Sequence, residues 1–385
     1  MGQARALQGD RGRAPGRHRR PVGRHARRLP VFPWDKLEPY KATAAAHPGG
    51  IVDLSVGTPV DPVPELVQKA LVAAADSPGY PTVWGTPALR DAIAGWAVRR
   101  LGAGQAGHRN VLPVVGSKEL VAWLPTQLGL GPGDVVGVPR LAYPTYEVGA
   151  RLARAEHAVY DDPVADLDPA ALKLLWLNSP SNPTGRVLAK DELARIVAWA
   201  REHDVLVFSD ECYLELGWEA EPVSVLDPEV CGGSYDGIVA VHSLSKRSNL
   251  AGYRAAFLVG DESVLGDLLQ IRKHGGMMTP APVQAATIAA LGDDTHVAEQ
   301  RERYAARRAA LREALLRHGF RIEHSEASLY LWATLGESCW ETVGRLAELG
   351  ILVAPGDFYG EAGREYVRIA FTATDERVAA AVGRL

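Results

Sequence analysis

Four short segments of this sequence set reactive or anion-binding side chains directly after apolar runs. The densest is Ser243-Leu244-Ser245-Lys246, followed by Gly252 and, eight residues past the lysine, by Arg254. A lysine just beyond a buried apolar strand is desolvated, which lowers its pKa and suits the amine to Schiff-base chemistry. Two hydroxyls and a guanidinium around it make a phosphate site, because the planar fork of an arginine matches phosphate oxygens and serines add short hydrogen bonds. Taken alone, the segment is equally satisfied by a surface lysine in a loop.

The second segment, Asp210-Glu211-Cys212-Tyr213, ends the apolar run Val205 to Ser209. A carboxylate at the carboxyl end of a buried parallel strand points into the crevice where such sheets bind ligands. Unpaired burial there is costly. A protonated ring nitrogen would compensate the charge, with Tyr213 within reach of an oxygen on the same ring; capping of the next helix is the plainer alternative. The third, Asn178-Ser179-Pro180-Ser181-Asn182-Pro183-Thr184-Gly185, uses two prolines and a glycine to fix a loop that holds Asn182 at a strand end, or forms an ordinary Asn-Pro turn. The fourth, Gly116-Ser117-Lys118-Glu119, follows the apolar Val111 to Val115 and opens a helix. Its free backbone N–H groups suit a phosphate, or the motif is only a cap.

Positioning these groups requires strands ending side by side. From Leu29 onward, apolar runs alternate with amphipathic segments, and candidate strands are Val135 to Val138, Leu174 to Asn178, Val205 to Asp210, Ile238 to His242 and Ala255 to Val259. Between the second and third, Lys190 to Glu202 carries Leu193, Ile196, Val197 and Ala200 on one helical face. Strand, helix, strand is a crossover unit and predicts a mainly parallel sheet in an α/β fold. Thr86-Pro87 supplies an N-cap and a proline at the first helical position. Gln300 to His318 reads as a charged helix with Tyr304, Leu311, Leu315 and Leu316 inward, opening a smaller domain near residue 285 after the Gly275-Gly276 and Pro280-Ala281-Pro282 breakers.

At 385 residues the chain is long enough for two packed domains. With 47% hydrophobic and 23% charged residues it falls in the globular range. No stretch reaches the ~20 apolar residues of a membrane span, and no apolar signal segment is found, so a cytoplasmic protein without a membrane partner is expected. Three scattered cysteines, Cys212, Cys231 and Cys339, suggest neither a disulfide framework nor a metal site. Nine of the 42 basic residues and one of the 46 acidic residues lie in the first 28 positions, which leaves residues 29–385 at a net charge of −12. An acidic body speaks against a nucleic-acid partner. The basic head, with almost nothing apolar to bury, reads as disordered leader sequence.

In order and spacing the four motifs resemble the aspartate aminotransferase family, the class I/II aminotransferases among fold-type I pyridoxal-phosphate enzymes, from about Leu29 to the end of the chain. The resemblance implies a large domain with a mainly parallel seven-stranded sheet flanked by helices, residues 57–284, and a smaller α+β C-terminal domain, residues 285–385. Residues 29–56 would be an N-terminal arm or small-domain segment. It implies pyridoxal 5'-phosphate as cofactor, held covalently by Lys246, which then shuttles the substrate proton. Asp210 would keep the ring nitrogen protonated, making the ring an electron sink, while Asn182 and Tyr213 bond its phenolate oxygen. Phosphate contacts fall on Ser117 and Lys118 through backbone amides and on Ser243, Ser245 and Arg254. In Pro139-Arg140-Leu141-Ala142-Tyr143-Pro144-Thr145-Tyr146, Tyr143 would stack on the ring and Tyr146 would pack in the core. Tyr80, five residues before Gly85, matches a tyrosine donated across a homodimer to the neighbouring phosphate, with simple interface packing as the alternative.

The same resemblance gives Arg368, in Tyr366-Val367-Arg368-Ile369-Ala370, the substrate α-carboxylate, which its bidentate fork suits better than a lysine. Asn182 would share that substrate site. Leu54-Ser55-Val56-Gly57-Thr58-Pro59 resembles the loop that closes over the substrate, with the Gly57 backbone near the carboxylate, and Trp84 is assigned to core packing. Leu29 to Asp35, Ser55 to Pro64 and Ala142 to Arg151 are similar to actinobacterial N-succinyldiaminopimelate aminotransferases of lysine biosynthesis. That implies N-succinyl-LL-2,6-diaminopimelate and 2-oxoglutarate/glutamate as the amino-acid and 2-oxo-acid partners. Which cation meets the distal carboxylate stays open, with Arg272 and Lys273 either candidates or solvated. Kynurenine, aromatic or broad-range transamination is an alternative. A β-elimination lyase is another, because it would share the same lysine, aspartate and arginine.

Overall fold

The computed structural model describes residues 29–30 and 32–385, so the basic head lies outside the described residues. After a short strand β1 (Val52–Asp53), seven strands build the central sheet. They are β2 (Val111–Val115), β3 (Val135–Pro139), β4 (Glu156–Tyr160), β5 (Leu172–Asn178), β6 (Leu206–Asp210), β7 (Ile238–Ser243) and β8 (Ala255–Gly260), in the order β2-β8-β7-β6-β5-β3-β4. Strand β8 runs antiparallel to both neighbours, and the pairings from β7 across to β4 are all parallel. The sheet is therefore mainly parallel and seven-stranded.

The strands are apolar at nearly every position because both faces are covered. Alternation of side chains sends Leu177, Val207, Ala240 and Val259 to one face, where Lys190–Glu202 and Pro87–Leu101 pack. Trp176, Phe208, Val239 and Leu258 go to the other, against Ser117–Gln127, Thr145–Ala153 and Glu262–Gly275. In Lys190–Glu202 the buried residues are Leu193, Ile196, Val197 and Ala200, the single stripe its sequence shows, and Asp191 and Glu192 in the first turn with Arg201 in the last complement the helix dipole. The Thr86 hydroxyl accepts from the Leu89 N–H, capping the helix that Pro87 begins.

A second core contains a four-stranded antiparallel sheet of β9 (Arg321–Glu323), β10 (Tyr330–Thr334), β12 (Ala354–Pro355) and β13 (Val367–Ala370), ordered β12-β13-β10-β9. Strand β11 (Ile351–Leu352) pairs in parallel with β1. Leu37, Ala44, Val52 and Leu54 join this core, so the first described residues pack with the last hundred.

Two expectations change. Ala286, Ala290 and Leu291 of the helix Ala281–Leu291 pack into the core of the large sheet, so the chain crosses into the small domain after Leu291 and not at 285. The glycine and proline breakers do something local: Gly276, at φ +66°, ends the helix Glu262–Gly275, and Pro280 starts the next. The following helix spans Thr295–Arg317, and Leu316 is 43% exposed, whereas Tyr304, Leu311 and Leu315 are buried. One residue on a helix turns the side chain by about 100°, which carries Leu316 off the buried face. No helix among the described residues is long and apolar enough to cross a membrane.

Candidate active site

The carboxyl ends of the parallel strands converge as the sequence requires. Asn178, the last residue of β5, pairs in register with Asp210, the last of β6, and β7 runs through Ser243 into a helical turn, Leu244–Arg247. With the start of the helix Ser117–Gln127, the loop at residues 56–58, and Tyr330 and Arg368 from the small sheet, these ends enclose a cavity of about 530 Å³. Gly57, Ser117, Lys118, Tyr143, Asn182, Asp210, Tyr213, Ser243, Ser245, Lys246, Arg254 and Arg368 all line it. Tyr80 does not: it is 97% exposed, away from the cavity of its own chain.

At one end is an anion cradle. Gly116 has φ +83°, and a Cβ there would collide with the Arg254 guanidinium, so glycine lets the arginine lie across the helix start. The Ser243 hydroxyl donates to the Ser245 hydroxyl at 2.9 Å, and Arg254 donates to the Ala251 carbonyl at 2.9 Å. The Lys118 amine stands 5.4 Å from the Phe32 ring and 5.9 Å from that of Tyr143. Desolvation, then the nearby Arg254 charge, pulls its pKa down.

In the middle, burial pushes the pKa of Lys246 down, with Arg368 and Arg254 acting the same way and Tyr330 against them; its amine donates to the Gly57 carbonyl. Burial pushes the Asp210 carboxyl up, against hydrogen bonds that favour the anion. The Tyr146 hydroxyl donates to Asp210 Oδ2 at 2.9 Å and the Cys212 N–H to Oδ1 at 3.3 Å. Tyr146 is thus more than core packing: its ring stacks on Trp176 and its hydroxyl fixes the aspartate. Burial raises the Tyr143 phenol to about 12, so it stays neutral near neutral pH.

At the substrate end, Arg368 is buried. It donates to Asn182 Oδ1 at 2.8 Å and to the Ser55 carbonyl at 2.7 Å, and its Nε has no partner among the described residues. The guanidinium lies 3.9 Å from the centroid of the Tyr330 ring, a cation–π contact between two buried side chains. The Tyr330 and Tyr213 hydroxyls share a hydrogen bond at 2.9 Å. Burial pushes both phenols up, but the Arg368 and Lys246 cations outweigh it at Tyr330 and bring that group below its ordinary value.

Tyr330 is the main residue that sequence reasoning missed. It lies in an apolar strand, Tyr-Leu-Trp-Ala-Thr, where nothing but its position in three dimensions separates it from core. Phe32, Trp34, Thr58 and Cys212 also line the cavity without having been singled out. Arg272 is a correction: it is fully buried and bonded to Glu119 and Gln127 at 2.9 and 3.3 Å, neither solvated nor available to a ligand, and Lys273 lies off the cavity as well. Trp84 also lies outside it, its indole N–H reaching the Val111 carbonyl.

The residues fit pyridoxal phosphate. A cradle of arginine, serines and helix N–H groups suits the phosphate, Asp210 the ring nitrogen, and the depressed amine of Lys246 the aldehyde. When bound, that group supplies an electron sink for the carbanion left after the substrate proton departs.

Comparison with known proteins agrees with this geometry. The family model of aminotransferase class I and II matches residues 50–385. A 4-dedimethylamino-4-oxo-anhydrotetracycline transaminase of Streptomyces rimosus is 62% identical over 93% of this chain and 99% of its own. An LL-diaminopimelate aminotransferase of Gloeobacter violaceus is 33% identical over 93% and 96%. The crystal structure of an aminotransferase from Neisseria meningitidis superposes with a TM-score of 0.84 at 29% identity, covering 94% of this chain and 98% of that one. A family model spanning most of the chain, together with a cavity built for its cofactor, leads to one conclusion: this chain belongs to the class I and II aminotransferases, pyridoxal-phosphate enzymes of fold type I.

Proposed function

We propose that this aminotransferase moves the amino group between glutamate and the N-succinyl-LL-2,6-diaminopimelate pair, in lysine biosynthesis. The observation that carries the reading is a second cation on the cavity wall. Arg368 is one, Arg254 belongs to the phosphate cradle, and Lys118 lines the same cavity without an ion-pair partner among the described residues. A substrate with a carboxylate at each end satisfies both Arg368 and Lys118, and a monocarboxylate leaves one cation without its anion. LL-Diaminopimelate aminotransferases among the relatives support a substrate built on the diaminopimelate skeleton.

In this reading Arg368, braced by Tyr330 and Asn182, receives the α-carboxylate through its fork. Lys246 takes the proton from the substrate α-carbon, a role favoured by burial, which lowers the pKa of its amine and so favours the neutral base. Asp210, held by Tyr146, keeps a cationic ring nitrogen charged. Tyr213, with its hydroxyl tied to Tyr330, and Asn182 bond the ring oxygen. Tyr80 reaches the phosphate of a second copy, so the working unit is a homodimer with shared sites.

A second reading has its own observation. Phe32, Trp34 and Tyr143 give the cavity an aromatic wall, with Phe32 and Trp34 centroids 5.6 Å apart, and one 62%-identical relative is named for a polycyclic substrate. Single-turnover mixing of the holoenzyme with N-succinyl-diaminopimelate, glutamate, kynurenine and phenylalanine, followed by the cofactor's absorbance, separates the two. Faster conversion by the aromatic donors than by the succinylated one would replace the first reading with the second.

A further inference from the structure

The far end of the loop over the cavity, residues 54–64, is fastened to the small domain through one carboxylate. Asp61, 9% exposed, accepts both terminal nitrogens of Arg307 at 2.7 Å each and Gln300 Nε2 at 2.7 Å. Arg307 and Gln300 come from the long helix Thr295–Arg317, and Arg307 is held from its other side by Asp375 at 2.6 Å. Gln300 Oε1 in turn accepts from Asn249, three residues past Lys246, and Asn249 also reaches the Pro62 carbonyl at 3.4 Å. Burial pushes the Asp61 carboxyl up, but the bonds from Arg307 and Gln300 prevail and hold it below the ordinary range, so it is anionic at neutral pH.

A few residues upstream, the same loop lays two carbonyls on the cations of the site. Ser55 accepts from Arg368 at 2.7 Å and Gly57 from Lys246. In the middle of the loop Gly57 is buried against Tyr330 and the Val56 carbonyl accepts from the Thr372 hydroxyl at 3.5 Å, while the Val56 and Val60 side chains face solvent, so the stretch from Thr58 to Val60 depends on Asp61 for its far attachment. Its near end is fixed where Leu54 accepts from the Ala370 N–H at 2.8 Å, and its far end at Asp61.

We propose that Asp61 is a positioning residue for transamination: its bidentate bond to Arg307 keeps the Ser55 carbonyl on Arg368 and Gly57 on the cavity wall, so that substrate meets an already formed wall. The role holds whichever second substrate the cavity accepts. Without the clamp, the binding-competent loop is one conformer among several, and apparent affinity falls by the fraction of time it is populated. Saturating substrate restores that conformer, so the limiting rate survives.

The test uses holoenzyme variants Asp61→Ala and Asp61→Asn in the glutamate half-reaction, read by cofactor absorbance across a glutamate series. If the unclamped loop is in place a tenth of the time, the half-saturating concentration rises about tenfold, while the limiting rate constant moves less than about twofold. Arg307→Lys, which keeps the charge and loses the fork, should fall between wild type and Asp61→Ala. A role in stability alone would lower the thermal midpoint or the cofactor content per chain with the half-saturating concentration unchanged, and that result overturns the proposal. So does a loss confined to the limiting rate. Should Asp61→Ala fail to yield soluble holoenzyme, Asp61→Asn is judged by the same criteria.

Discussion

Replacing Lys118 by glutamine isolates the charge on which substrate choice is proposed to rest. The backbone amide at the helix start stays, so the phosphate cradle keeps its N–H, and only the ammonium at the cavity wall is lost. Two unit charges about 4 Å apart interact by about 4 kcal/mol at an effective dielectric near 20. Lys118 reaches solvent in the free chain, and screening together with the desolvation of both partners takes back most of that. About 1–2 kcal/mol should remain once substrate covers the amine, a factor of roughly 5–30 in affinity. The assay is single-turnover conversion with N-succinyl-diaminopimelate and, separately, with alanine. The half-saturating concentration should rise by that factor for the first and stay within about twofold for the second, whose small side chain leaves Lys118 unused. An equal loss for both donors would mean that Lys118 serves the cofactor, and the argument for a substrate with a distal carboxylate would fail.

Lys246→Ala should retain pyridoxal phosphate only noncovalently, with no borohydride-reducible adduct and essentially no turnover. Because burial lowers the pKa of Lys246, the wild-type apoprotein should take up cofactor faster as pH rises, since the neutral amine reacts, and should reach its plateau below the ordinary lysine pKa of about 10.4; a plateau only above that value would contradict the desolvated lysine. Asp210→Asn should keep cofactor but lose turnover by an intermediate factor, because an amide does not hold a ring nitrogen protonated; an unchanged turnover number would refute the pairing. Gly116→Ala should release cofactor more readily, since its Cβ would displace Arg254 and the φ of +83° adds strain; unchanged cofactor affinity by equilibrium dialysis would show that Arg254 does not hold the phosphate.

The parts of the fold that could be read in advance are those where one local rule decides. Apolar runs ending in Asn178, Asp210 and His242 became adjacent strand ends, because buried parallel strands need no polar face to register them. Strand β4, Glu-His-Ala-Val-Tyr, escaped notice since it lies at the sheet edge, where half its side chains meet solvent and the apolar run disappears. The domain crossing was misplaced because Gly275-Gly276 and Pro280 mark helix ends, and a helix end is not a domain end. Tyr330 and Asp61 were silent for a different reason. Each acts through partners far along the chain, Arg368 and Tyr213 for one and Arg307 for the other, and spacing carries no trace of such pairs.

The small domain is made from both ends of the described chain, with Val52 paired to Ile351 and Asp53 to Leu352. On a ribosome this has a temporal meaning. Residues 37–54 leave the exit tunnel early, yet the core that shelters Leu37, Ala44, Val52 and Leu54 is supplied, apart from Tyr213 and Leu216, by buried residues beyond 295. At about 5–20 residues per second, that segment waits roughly 15–60 s for its partners. The large sheet is completed by β8, within the first 260 residues, and can close while the segment is still waiting. The early segment is therefore an obligatory straggler during synthesis, with apolar side chains exposed to chaperones until the last strands of the small sheet emerge.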